Sequence, residues 1–158
     1  MFLSLTHQAG KRPESVWQAG FQKSGCVHAL WNYALQQYID FLVEHRFNAV
    51  RLPMSVEIIQ ANAVTGELCG EYQGWPTLEI LDDVIVRLQR AGIFVMFDMH
   101  TLSIDRNDGY WCYPNNGRCA EKEEAPLWDA WETLARRYCS SPNVVAADLF
   151  NEPVSGNQ

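Results

Sequence analysis

Three segments of the chain are short apolar runs rich in β-branched and aromatic side chains. They are Phe47-Asn48-Ala49-Val50-Arg51-Leu52-Pro53, Ile93-Phe94-Val95-Met96-Phe97-Asp98-Met99-His100 and Val144-Val145-Ala146-Ala147-Asp148-Leu149-Phe150. The second is almost continuously apolar, the pattern of a strand buried on both faces. A weaker strand candidate is Val16-Trp17-Gln18-Ala19-Gly20-Phe21. Between these runs, apolar positions recur at helical spacing. Leu78, Leu81, Val84, Ile85 and Leu88 form one stripe, with Thr77 as its candidate N-cap and Gly92 at the position of a C′ glycine. Leu127, Trp131, Leu134 and Tyr138 form a second, which stops before Ser140-Ser141-Pro142. Leu30, Tyr33, Ala34, Phe41 and Leu42 mark a third that runs into Glu44.

The resulting order, β-α-β-α-β-α-β, predicts a parallel sheet with right-handed crossovers. The three clear strands recur every 45–50 residues or so, whereas a lean βαβ unit takes about 30. The surplus follows the strands, from Glu57 to Trp75 and from Thr101 to Ala125. Loops enlarged on that side are where a (β/α)8 barrel builds its active site, and a whole barrel takes about 250 residues. The expected fold is therefore α/β, a (β/α)8 TIM barrel of which about the first four β/α units are present. Residues 1–14 read as an N-terminal extension and 15–158 as the partial barrel. The sequence contains no internal repeat, low-complexity tract or linker.

Charge and cysteine usage narrow the partners. A net charge of −7 over 158 residues excludes a nucleic-acid partner, which needs a basic face. No apolar run approaches the roughly 20 residues that cross a bilayer, so no membrane partner is expected. Met1-Phe2-Leu3-Ser4-Leu5 is followed at once by Thr6-His7-Gln8, so no signal-peptide core is visible at the start. Five cysteines occur without a Cys-x-x-Cys pair, which argues against a zinc ribbon. Cys112 and Cys119 bracket a turn-rich hexapeptide and read either as two reduced thiols or as a disulfide. A disulfide there would favour a secreted protein.

The chemistry-bearing residues fall at the strand ends. Arg51 lies near the end of the first clear strand, Asp98 and His100 end the second, and Asn151 and Glu152 follow the third. On adjacent parallel strands these groups gather at one rim, and ionisable residues there are costly to bury unless they pair or function. Each has a plainer reading. Arg51 fits a buried ion pair, His100 a satisfied strand-end histidine, and Asn151-Glu152-Pro153 a turn. Asp98 reads as structural rather than catalytic, because alternation points it away from its neighbours on the strand. Their shared location favours function.

These segments resemble glycoside hydrolase family 5, the endoglucanase and mannanase family, from about Trp17 to the last residue. Phe47–Pro53, Gly92–His100 and Leu149-Phe150-Asn151-Glu152-Pro153 carry the resemblance in the family's order. His28-Ala29-Leu30-Trp31 resembles the family's stretch after the first strand, with Ala29 where glycine is commoner. The resemblance implies a hydrolase cleaving β-linked glucan or mannan with retention, with no metal or organic cofactor. It implies that Glu152 is the general acid/base and that Asn151 binds the sugar 2-hydroxyl. Arg51 would orient the nucleophilic carboxylate, His100 would line the cleavage subsite, and Trp111 would be a sugar platform or a loop aromatic on the rim. It also implies a parent enzyme that acts outside the cell.

In this family the nucleophilic glutamate lies on the seventh strand, a position absent from this sequence. Glu121, Glu123 and Glu124 read as a solvent-facing charge run and do not replace it; Glu57 and Glu67 lack a strand-end setting. The expected product is thus a fragment, inactive alone, with open strand edges that favour self-association. A second reading is a non-catalytic half-barrel that binds sugars through Trp111. A third, with Asp98 and His100 as metal ligands, is disfavoured by the lack of His-x-His and Glu-x-x-His pairs.

Overall fold

Strands β2 (Ala49–Ser55) and β3 (Phe94–Thr101) are the centre of a four-stranded parallel sheet, flanked by β1 (Phe2–Ser4) and β4 (Val144–Asp148) in the order β1-β2-β3-β4. The computed structural model describes residues 2–4, 30, 32–103, 109–113, 119 and 121–154. The helices are α1 (Leu35–Glu44), α2 (Val56–Ala61), α3 (Thr77–Arg90) and α4 (Glu121–Tyr138), with a 3-10 segment at Glu67–Tyr72. Beside β2 stands Phe2–Ser4, whereas the weak strand candidate at 16–21 lies outside the described residues.

Period-two alternation divides the strands between two environments. Val50, Leu52, Met54, Val95, Phe97 and Met99 turn one way and are buried. They share one core with Leu35, Ile39 and Leu42 of α1, Leu81, Val84, Ile85 and Leu88 of α3, and Leu127, Ala130 and Leu134 of α4. Each of the larger side chains among them contributes about 1.5–3 kcal/mol on leaving water. The opposite face carries Arg51, Met96, Asp98, His100 and Asp148, which the register places side by side: Arg51 opposite Met96, and Asp98 opposite both Pro53 and Asp148. The continuous apolar reading of β3 thus gives way to one apolar and one polar face. β4 stops at Asp148, short of the predicted Phe150, and Val145 and Leu149 are exposed.

Helix ends follow local rules with two departures from the sequence reading. Gly92 ends α3 as expected, at φ +72°, with its N–H bonded to the Gln89 carbonyl and that of Ile93 to the Leu88 carbonyl. This is a Schellman motif, and Ile93 packs with Leu88 in the core. Thr77, however, is the first helical residue rather than the cap, and its hydroxyl donates to the Ala63 carbonyl. The side chain of Asn62 accepts the free N–H of Leu78 instead (2.9 Å). Asn62 itself ends α2 in the left-handed region. The expected loop from Glu57 to Trp75 is therefore structured, beginning with α2, whose N-cap Ser55 accepts from the Ile58 N–H.

The helices are cross-linked by two tyrosine-centred networks. Tyr72 donates to Asp83 (2.6 Å), and Arg87 joins that pair to Glu71 and Gln36. Tyr138 donates to Asp82 (2.8 Å), which also receives Arg137. Burial first, and the hydrogen bond to a carboxylate second, raise both phenols above their ordinary value of 10.0. A raised folded value means that their contribution is complete below about pH 10 and is lost as pH rises toward the folded values. Urea midpoints should therefore fall above about pH 10, and the Tyr72→Phe/Tyr138→Phe variant should show a flatter profile there.

α1 ends in the same Schellman geometry as α3, but with Arg46 in the left-handed position at φ +58°. A side chain there costs about 1–2 kcal/mol, partly offset by the freer unfolded chain that glycine brings. Arg46→Gly should stabilise the chain by about 0.5–1 kcal/mol in urea denaturation; an unchanged or lower midpoint would contradict this account.

Candidate active site

The polar face of the sheet converges on a single nitrogen. Nη2 of Arg51 donates to Asp148 Oδ2 (2.8 Å) and to Asn151 Oδ1 (2.8 Å). Those two bonds use both of its hydrogens. Asp98 Oδ1, 2.9 Å from the same nitrogen, is left in charge contact without an aligned hydrogen bond. The other oxygen of Asp98 meets Nδ1 of His100 at 2.8 Å. Asp98 is fully buried, Arg51 is 20% exposed and His100 is 35% exposed. A carboxylate with no access to water requires such partners: loss of Arg51 would leave its charge uncompensated, and loss of His100 would leave an oxygen without its hydrogen bond.

Arg51, His100 and Asn151, picked out from the sequence, are thus joined in one network. Asp98, read as structural from the sequence, lies on the same face as His100 and contacts both Arg51 and His100. Asp98 and His100 bond to each other rather than converging as ligands, and among the described residues no cluster of metal-binding groups occurs. Asp148 was not singled out in the sequence. Its signal was available, since it is an acidic residue closing an apolar strand, as Asp98 nearly is.

Glu152 follows the network directly but stays outside it. The backbone of Asn151 continues the β3–β4 contact through its N–H to the Met99 carbonyl (2.9 Å). The chain then turns through Glu152 at φ +44°, an unusual conformation for a side-chain-bearing residue. The Glu152 side chain is exposed. Among the described residues β4 is an outer strand of the sheet.

A loop after β3 braces this turn. Gly109 accepts the Val154 N–H (3.0 Å) and has φ +72°. It approaches so closely that a Cβ there would lie 2.6 Å from the Glu152 carbonyl oxygen. Two residues on, Trp111 is half-buried against the core and donates its indole N–H to Glu124 (3.1 Å). The Glu123 carbonyl accepts from Tyr113. Glu123 and Glu124 are therefore partly buried rather than solvent-facing, because the loop folds back over the start of α4. Cys112 and Cys119 form a disulfide with Cα atoms 5.8 Å apart, and Cys139 is free.

Known proteins share this arrangement of strands and helices. The structure of a hyperthermophilic endocellulase from the archaeon Pyrococcus horikoshii superposes with a TM-score of 0.69 at 26% identity, covering 85% of this chain and 35% of that one. The catalytic domain of the major endoglucanase of Xanthomonas campestris pv. campestris gives 0.68 at 28% identity, covering 85% and 38%. In sequence, the major extracellular endoglucanase of that bacterium is 30% identical over 142 residues, and an endoglucanase of Paenibacillus polymyxa 26% over 133. The matches take in 85% and 80% of this chain but 28% and 32% of those proteins, so the chain spans about a third of their length. The fold is thus a partial (β/α)8 barrel of the cellulase type. The sequence model of Cellulase (glycosyl hydrolase family 5) matches residues 14–158, and on that match the chain belongs to glycosyl hydrolase family 5.

Proposed function

We propose that the chain carries the acid/base half of a retaining endo-β-1,4-glucanase, with Glu152 as the proton donor. The observation that carries this reading is the Arg51 network, which fixes Asn151, and with it the start of the Glu152 turn, at the carboxyl edge of β4. In the first step Glu152 protonates the departing glycosidic oxygen while a second carboxylate attacks the anomeric carbon. The leaving sugar departs as an alcohol and a covalent glycosyl-enzyme forms. Glu152, now a carboxylate, then takes a proton from water as its oxygen displaces the enzyme carboxylate with net retention. In this reading the second carboxylate is supplied by the rest of the protein that carries this chain, which spans about a third of its relatives' length.

The neighbouring groups suit the same reaction. Asn151 accepts from Arg51 through Oδ1, so its amide N–H groups are turned outward and suit a sugar 2-hydroxyl. Arg51 makes its contacts through Nη2, which leaves donors on the rest of the guanidinium for the nucleophilic carboxylate. Trp111, pinned at its nitrogen, offers a ring face as a sugar platform. The likeness to endoglucanases favours a β-glucan over mannan as substrate, and variants of the archaeal endocellulase are solved with cellotetraose. The Cys112–Cys119 disulfide and the extracellular relative fit action outside the cell.

In the protein that carries this chain, Glu152→Gln should cut kcat/KM on aryl β-cellobiosides about 10²–10⁴-fold when the leaving group is poor. The loss should shrink for dinitrophenolate, which departs without a proton. An equal loss across leaving groups would remove Glu152 from this role. Gly109→Ala should displace the turn and lower kcat roughly 10- to 100-fold. Gly74→Ala, also left-handed (φ +80°) but with nothing within 4 Å of the added carbon, should leave kcat unchanged. Matching losses in the two variants would show that strain alone, and not contact with Glu152, is at work.

A further inference from the structure

We infer that Asp98 is a positioning residue that holds His100 as the Nδ1–H tautomer, leaving Nε2 as a bare acceptor for a sugar hydroxyl. The inference rests, for its sugar, on the glucanase reading above. It starts from hydrogen-bond capacity. A carboxylate only accepts, so the 2.8 Å contact between Asp98 Oδ2 and His100 Nδ1 requires the proton on Nδ1. Asp98 has little freedom to do otherwise, since it is fully buried and its other oxygen faces the Arg51 guanidinium at 2.9 Å. In a neutral imidazole a proton on Nδ1 makes Nε2 the acceptor.

The ring is placed to use that acceptor. His100 sits at the carboxyl end of β3, next to the strand whose end carries Asn151 and Glu152, and is partly exposed. Among the described residues Nε2 has no hydrogen-bond partner. The rim thus presents a donor at Asn151 and an acceptor at His100, and both assignments trace to the same cluster. Arg51 sets the Asn151 amide and Asp98 sets the imidazole. A carbohydrate ring, whose hydroxyls both donate and accept, is matched by such alternation.

The isosteric Asp98→Asn variant tests the mechanism because its amide can donate. With Oδ1 kept toward Arg51, its N–H would point at Nδ1 and drive the imidazole proton to Nε2. Long-range 1H–15N correlation on the 15N-labelled full chain at about pH 8.5, where a free imidazole is neutral, reads the tautomer directly. A His100→Asn spectrum identifies the signal. The expected result is a protonated δ1 and bare ε2 nitrogen in the wild type, inverted in Asp98→Asn. A wild-type signal with ε2 protonated, or with both nitrogens protonated, overturns the inference without any variant. An uninverted Asp98→Asn spectrum overturns the role of Asp98. In the protein that carries this chain, Asp98→Asn should also lower kcat/KM on cellotetraose about tenfold or more, the size of one lost hydrogen bond. Normal turnover beside an inverted tautomer would overturn the acceptor role. Failure of the Glu152 experiments would sink the glucanase reading and leave the tautomer spectra unaffected.

Discussion

One nitrogen of one arginine ties the carboxyl ends of three strands together. Arg51 rises from β2, Asp98 from β3, and Asp148 and Asn151 from the end of β4 and the turn beyond it. Burying Asp98 without water is expensive, and the cost is met only while the guanidinium stays within contact distance. The network therefore acts on register as well as on charge. A slip of one residue would turn Arg51 to the helix-facing side and leave Asp98 alone in the interior.

The constraint also explains how the sheet divides its work. The face toward the helices is wholly apolar and supplies the packing energy that α1, α3 and α4 share. The opposite face spends its positions on polar groups that contribute little to stability and much to orientation. Outer elements then stiffen the frame through side-chain networks that link helix to helix, at Tyr72–Asp83–Arg87 and Tyr138–Asp82–Arg137. The loop carrying Gly109, Trp111 and the Cys112–Cys119 disulfide adds a brace at the point where the Glu152 backbone is in an unfavoured conformation. Strain at that turn is maintained by its surroundings, as is common where a side chain must be presented at a rim.

Membership of glycosyl hydrolase family 5 gives these features a common direction. About a third of the length of the endoglucanases it matches is spanned by this chain, and that third holds a rim at which Arg51, Asp98, His100 and Asn151 meet and which Glu152 follows directly. Among the described residues the Glu152 side chain is exposed, while its backbone is held by the Gly109 loop and by Asn151.

Much of this was legible in the sequence. Strand–helix alternation, the stripes of α3 and α4, the glycine stop at Gly92 and the gathering of Arg51, His100, Asn151 and Glu152 at one edge all follow from periodicity and strand-end placement, which are local properties. What periodicity could not show was partnership. Asn62 capping α3 across a loop, Glu124 receiving Trp111, and Gly109 pressed on Glu152 involve residues brought together by folding, each with an ordinary local sequence. Asp98 is the clearest case. The sequence determined that it is an acid in an apolar strand, on the same face as His100. That its two oxygens serve Arg51 and His100 separately was decided by the lateral distance between β2 and β3, which only the assembled sheet sets.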